Sequence, residues 1–358
     1  MTDYDAILLV SFGGPDGPGD VVPFLENVTR GRGIPRERLV EVGAHYRLFG
    51  GVSPINGQNR ELARALRDAL DGAGVDMPVV WGNRNWEPYL ADVVAGLGAA
   101  GAPRRALAFV TSAYSSYSGC RQYRENLFDA VPAGSGLAVD RIRQYFDHPG
   151  FVEPFIDSTV RALAELPHEA QAGARLVFTT HSIPTAQADS SGSLDQPGGA
   201  YLAQHRAVAA LVAAGVTAEP GTDHARDLVY QSRSGPAAQS WLEPDISEHL
   251  ESLSALGVPG AVLVPIGFVS DHMEVIYDLD TLAAQTAAGL GLPVSRAATP
   301  GTDPRFVAMI VDLVQERIAD RPDSDRQALS ALGPWREVCA PGCCPNPRGP
   351  RPARCGSD

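Results

Sequence analysis

Short runs of consecutive apolar residues recur along this chain, separated by longer stretches whose apolar residues return every third or fourth position. The runs before residue 150 are AILLVSF (6–12), PVVWGN (78–83), ALAFVTSAYSS (106–116) and LAVDRI (137–142). Those after it are ARLVFTTHS (174–182), DLVYQS (227–232), GAVLVPIGF (260–268) and LPVSRA (292–297). Unbroken apolar runs of this length suit strands covered on both faces, as in a parallel sheet. The periodic stretches at 59–74, 120–131, 151–167, 200–216 and 304–320 predict amphipathic helices. Strand, helix, strand in repetition predicts βαβ units and an α/β fold of two doubly wound halves. We place these at 1–150 and 151–320, joined near DHPGFVEPF (147–155), with a polar tail at 321–358.

Several runs end in polar clusters: Ser11 to Gly14, Asn83 to Asn85, Ser112 to Ser118, His181-Ser182 and Gln231 to Ser234. Each alone reads as a turn. Together they mark one side of a sheet as a ligand cleft, because open α/β sheets bind beyond the carboxyl ends of their strands. No GxGxxG follows the first run and no GxxxxGK[ST] occurs; SFGGPDGPG carries two prolines, which cannot donate to a phosphate. HSIPTAQ is not a nucleophile elbow.

At 358 residues, 44% hydrophobic and 20% charged, the chain has material for a sizeable core. A net charge of −13 disfavours nucleic acid or an anionic membrane surface as the main partner. The start, MTDYDAILLVSFGGP, lacks a basic n-region, and no apolar run approaches the ~20 residues of a membrane span, so a cytoplasmic protein is expected. Oligomeric state is not legible.

Two places carry chemistry. His181 closes a buried run and precedes Ser182-Ile183-Pro184, a position from which a neutral imidazole can bind a metal or take a proton. A histidine bonded to backbone at a strand end would look the same. In VPIGFVSDHMEVIYDLD (264–280), Asp271 and Glu274 have capping-box spacing for a helix starting near Ser270 or Asp271. Glu274 and Asp278, four apart, share a helical face and can relay protons or pass on a divalent ion; an exposed acidic face has the same pattern.

LLVSFGGP, FGGVSPI, THSIP, YQSRSG with WLEPD, and VPIGFVSDHMEVIYDLD resemble, in order and nearly end to end, the ferrochelatases, which insert ferrous iron into a porphyrin. The details resemble the Gram-positive and actinobacterial branch acting on coproporphyrin III. The resemblance implies two Rossmann-like halves around a porphyrin cleft, with His181 and Glu274 taking Fe²⁺ and helping to remove the pyrrole protons, and Asp278 behind them. It sets Phe12, Arg30, Tyr46, Ser53 and Tyr123 against the porphyrin, with Arg30 or Arg32 suited to substrate carboxylates. This chain departs from the pattern at Phe12, where many relatives have a tyrosine that can ligate product iron. It departs again at His45-Tyr46, where they have Arg-Tyr, and at Leu282, where the next carboxylate falls. Protoporphyrin IX is the alternative substrate, cobalt or nickel the alternative metals, and a non-catalytic metal- or tetrapyrrole-binding protein the alternative class.

Four of the five cysteines, Cys339, Cys343, Cys344 and Cys355, lie in the tail; the fifth is Cys120. The spacing is a poor match to a structural zinc module. Some ferrochelatases hold a [2Fe–2S] cluster with three tail cysteines and one from the body. By that resemblance Cys120, Cys339, Cys343 and Cys344 supply four thiolates, with Cys355 able to replace one of the adjacent pair. A zinc knuckle and a tail of free reactive thiols are the alternatives.

Overall fold

The structure, a computed structural model, describes residues 3–99, 104–217, 223–235 and 238–356. The first sheet consists of β1 (Ala6–Ser11), β2 (Val79–Asn83), β3 (Arg105–Val110) and β4 (Ala138–Arg141). The second consists of β5 (Arg175–His181), β6 (Arg226–Gln231), β7 (Ala261–Val264) and β8 (Val294–Arg296). Their orders are β2-β1-β3-β4 and β6-β5-β7-β8, and every pairing is parallel. All eight predicted strands are present. Every residue of β1 and β7 is buried, as continuous apolar runs require.

The first half carries helices α1 (Val21–Val28), α2 (Arg36–Arg47), α3 (Pro54–Gly72), α4 (Leu90–Ala99) and α5 (Gln122–Ala130). The second carries α6 (Pro149–Glu165), α7 (His168–Gln171), α8 (Thr185–Asp189), α9 (Gly199–Val216), α10 (Ile246–Ala255), α11 (Met273–Tyr277), α12 (Ala284–Leu290) and α13 (Pro304–Ala319). A π-helical turn, Tyr117–Arg121, leads into α5, and another, Asp278–Ala283, joins α11 to α12. The five helices predicted from periodicity are present as α3, α5, α6, α9 and α13. Helices α1, α2, α4, α7, α8, α10 and α12 are additions. In α2, RERLVEVGAHYR buries only Leu39, Gly43 and Tyr46, too thin a stripe to read.

Helix starts follow local chemistry. The α6 N-cap His148 accepts the Gly150 N–H at 3.0 Å, and the α13 N-cap Asp303 accepts the Arg305 N–H at 2.9 Å, each followed by proline at the first helical position. Helix α13 buries Phe306, Met309, Ile310 and Leu313 against both α6 and α3, so the last helix of the second half packs on the first. One core therefore runs through both halves: Leu9 and Phe109 from one sheet, Phe178 and Val264 from the other, and Phe151, Phe155 and Phe306 between them.

Candidate functional site

In each sheet the chain turns one way from the first strand and then the other way, so the switch points lie at β1/β3 and β5/β7. Ligands of doubly wound sheets bind at such points. His181 is the last residue of β5. Its neighbour β7 pairs with it only as far as Phe178↔Val264, then leaves through Pro265-Ile266-Gly267 toward α11. The exit crosses close to Thr180: a Cβ on Gly267 would stand 2.3 Å from Thr180 Oγ1, so only glycine fits.

This geometry brings His181 and Glu274 together, Nε2 to Oε2 at 3.6 Å, both side chains reaching solvent. The His181 Nδ1–H donates to the Ser182 carbonyl at 2.5 Å, so that in the neutral ring Nε2 carries its lone pair toward Glu274. The Glu274 backbone is held twice: its N–H donates to His272 Nδ1 at 3.2 Å, and its carbonyl accepts from Gln231 Nε2 at 3.2 Å. His272 is thus the N-cap of α11, which corrects the expected helix start and capping box. Asp271 instead accepts from Arg296 at 3.1 and 3.2 Å and from Thr299 at 3.1 Å. Burial lowers the His272 pKa.

Asp278 follows Glu274 at the head of the π turn and accepts a short hydrogen bond from Ser232 Oγ. Burial pushes its pKa up to about 6, against the Ser232 bond. Ser232 holds φ at 61°, a left-handed conformation costly for serine and tolerated where a site requires it. His272, Gln231 and Ser232 were not singled out as site residues in the sequence; the polar strand end QSRSG was the available signal for two of them.

The remaining predicted contacts lie on the first half. Phe12 is 37% exposed just beyond β1, with the Arg84 guanidinium 5.5 Å from its ring centroid. The same guanidinium lies 4.9 Å over Tyr123, whose ring is buried on α5. Tyr46 is buried in a cluster with Phe24 and Met273, and the neighbouring His45 stacks on Tyr277 at 4.1 Å. Residues of α2 and α11 therefore meet directly across the two halves. Ser53 is buried against Gly14 and its N–H donates to the Pro15 carbonyl at 2.9 Å. Arg30 and Arg32 are exposed. At Leu282, 40% exposed, the line of carboxylates ends in an apolar side chain.

Cys120, Cys339, Cys343 and Cys344 form a buried cluster of their own. Cys120 and Cys339 sulfurs lie 4.0 Å apart, those of Cys343 and Cys344 3.8 Å. Cys344 adopts φ 52°, a left-handed turn that lets two consecutive cysteines face one place instead of opposite sides. The buried Arg141 directs Nη1 to Cys120 Sγ at 3.0 Å and Nη2 to Cys339 Sγ at 3.6 Å, and the Gly192 N–H donates to Cys344 Sγ at 3.2 Å. Hydrogen bonds from the neighbouring thiols, then the Arg141 charge, hold Cys120 well below an ordinary thiol pKa against the effect of burial. Arg141 Nε is buried without an acceptor among the described residues. Four convergent sulfurs ringed by donors fit the [2Fe–2S] group that the resemblance implies. Cys355 stands apart, donating to the Val139 carbonyl at 3.2 Å, and burial pushes its pKa up to about 11. Among the described residues, no group of three or more His, Cys, Asp or Glu side chains is arranged to hold a metal ion.

The tail is docked through α5 and the π turn before it. Arg121 Nη2 donates to the Arg351 carbonyl and Arg124 Nε to the Arg354 carbonyl, both at 2.7 Å, and Asn346 donates to Glu125 at 3.0 Å. No helix among the described residues is long and apolar enough to cross a membrane.

Residues 4–318 match the family model for ferrochelatase. The chain is 59% identical to the coproporphyrin III ferrochelatase of Streptomyces coelicolor, covering 99% of this chain and 96% of that one. It is 59% identical to the protein of the same name from Frankia alni, over 96% and 87%, and 48% identical to a ferrochelatase of Rhodopirellula baltica, over 96% and 94%. Among solved structures, SirB from Bacillus subtilis shares the fold at TM-score 0.52 and 11% identity, over 92% of this chain and 100% of that one. A multi-domain Deinococcus radiodurans protein with structural similarity to chelatases matches at TM-score 0.50 and 18% identity, over 92% and 58%. The paired histidine and glutamate at the β5/β7 switch point lie within the segment that carries this match, and the chain belongs to the ferrochelatase family.

Proposed function

We propose that this chain inserts Fe²⁺ into coproporphyrin III, giving iron coproporphyrin III (coproheme) in haem biosynthesis. The observation that carries the substrate is the 59% identity over nearly the whole chain to relatives named for that porphyrin. The pairing of His181 with Glu274 supports the chemistry.

His181 offers Nε2, its other nitrogen being committed to Ser182, and Glu274 offers a carboxylate 3.6 Å away. A ferrous ion about 2.1 Å from each donor fits that gap. One imidazole and one carboxylate hold the ion loosely enough to surrender it to four pyrrole nitrogens, where four thiolates would not. The balance of the reaction is two N–H protons out for one Fe²⁺ in. Glu274 and His181 accept those protons as the metal leaves them, and Asp278, raised toward neutrality, takes them onward. Arg30, with Arg32 beside it, pairs with substrate carboxylates from its exposed loop, while Phe12, Tyr46, Ser53 and Tyr123 shape the cleft wall around the macrocycle. Phe12 offers product iron no oxygen.

In the same reading the units are 1–150, 151–320 and the tail 321–358. Cys120, Cys339, Cys343 and Cys344 hold a [2Fe–2S] cluster, which supplies a one-electron redox centre and a covalent tie between tail and body. Cys355 is the spare thiol.

The test is anaerobic mixing of the protein with Fe²⁺ and coproporphyrin III or protoporphyrin IX, followed by visible absorption. Turnover to metalloporphyrin bands is expected with coproporphyrin III. Turnover with protoporphyrin IX alone would overturn the substrate, and porphyrin binding without turnover would overturn the enzyme.

A further inference from the structure

Behind the metalation pair lies a buried set of rings that neither donor includes. Tyr201 and His205 come from α9, Thr180 from β5, and Tyr114 from the segment after β3. The Tyr201 hydroxyl donates to the backbone carbonyl of His181 at 2.7 Å. Thr180 Oγ1 lies 2.9 Å from Tyr201 Oη and 2.9 Å from His205 Nε2. His205 Nδ1–H donates to the Tyr201 carbonyl at 2.7 Å, which makes Nε2 of the neutral ring the acceptor for the Thr180 hydroxyl. His205 has no exposed surface and stacks on Tyr114 with ring centroids 3.7 Å apart. The Tyr114 hydroxyl donates in turn to the Ile266 carbonyl at 2.9 Å.

The two carbonyls reached are those that the sheet abandons. Beyond Phe178↔Val264, β5 has no ladder with β7, and a buried backbone carbonyl without a donor is costly. Tyr201 satisfies the end of β5 and Tyr114 the exit of β7, the two segments that carry His181 and lead to Glu274. Among the described residues the His181 ring has one hydrogen bond, to Ser182, and its side chain is 32% exposed, so its aim is inherited from the backbone. Tyr114 belongs to the first half, and Gln204 of α9 binds that same segment by accepting the Ser115 N–H at 2.8 Å.

We infer that Tyr114, His205, Tyr201 and Thr180 are positioning residues that set the separation of His181 and Glu274, with α9 joining both halves to that separation. This rests on the reading of His181 and Glu274 as the metalation pair. Displacement of a reacting group by about 1 Å costs up to ~100-fold in rate, so loss of one clamp acts on turnover more than on substrate binding.

The test is Tyr201→Phe, which keeps the ring and removes the hydroxyl, assayed with Fe²⁺ and coproporphyrin III. We expect kcat to fall about tenfold with KM for the porphyrin within about twofold, and far-UV circular dichroism unchanged. Thr180→Val should reproduce the loss and Thr180→Ser should restore the rate. Added to His181→Ala, Tyr201→Phe should cause no further loss, because the group it aims is gone. A Tyr201→Phe enzyme within twofold of wild type overturns the inference. So does an equal loss in both backgrounds, which is the signature of a merely structural role. If His181→Ala itself keeps the wild-type rate, the metalation pair is misassigned and the inference falls with it.

Discussion

One nitrogen of His181 is already committed, and that decides what the other can do. With Nδ1–H on the Ser182 carbonyl, Nε2 of the neutral ring is an acceptor facing Glu274, the state a metal ligand or proton acceptor needs. His181→Ala should fold as wild type by circular dichroism and lose iron insertion by at least ~100-fold in a porphyrin absorption assay. Asp278 gives a prediction in pH. Its folded pKa of about 6 lies above the usual carboxylate value, so the fold favours the protonated form. The stability this contributes is present below about pH 4 and is lost as pH rises through 6. Asp278→Asn should therefore raise the unfolding free energy in urea relative to wild type at pH 7.5, by about 3 kcal/mol at most, with a smaller gain at pH 4.5. An equal gain at both values would show that ionisation of Asp278 is not the cause.

Among the elements, the β7 exit carries the most constraint. Pro265 ends the strand, Gly267 passes Thr180 at a distance no Cβ tolerates, and His272 then starts α11. Gly267→Ala should cost about 1–3 kcal/mol in urea unfolding, because Thr180 is hydrogen-bonded to His205, abuts Tyr201 and cannot yield. Thr180→Ala in that background should recover part of the loss. The Asp271/Glu274 spacing resembled a capping box, yet Arg296, distant in sequence, takes Asp271 and leaves the cap to His272. Local spacing proposed a local partner, and a tertiary ion pair prevailed.

At the scale of the whole molecule, the tail brings parts of both halves together. Cys120 comes from the first half, the Gly192 N–H on Cys344 from the second, and the buried Trp335 packs on Phe146, close to the join. Anaerobically purified protein is expected to carry about two iron and two sulfide per chain, measured by chemical analysis and by visible circular dichroism. Cys120→Ser and Cys344→Ser should lose both signals and make the tail sensitive to protease. Cys355→Ser should keep them, since its sulfur lies against Val139, outside the group. Loss of the cluster in Cys355→Ser alone would reverse the assignment of the fourth ligand.

The sequence by itself determined the strands, the alternation that makes two parallel sheets, and the residues that end them. Apolar runs and helical periodicity act over neighbours in the chain, and burial on both faces leaves no other reading of β1, β5 or β7. It also pointed to His181, Glu274 and the cysteines, because those types are chemically conspicuous. Only the tertiary structure decided the partners. That Nδ1 of His181 faces Ser182, that Tyr201 holds the β5 carbonyl, and that two adjacent cysteines converge through a left-handed turn depend on contacts between residues distant in sequence or on backbone angles. Helix α2 was illegible for the same reason: its buried Leu39 and Tyr46 side chains have a place to go only once α1 and α11 have come against it.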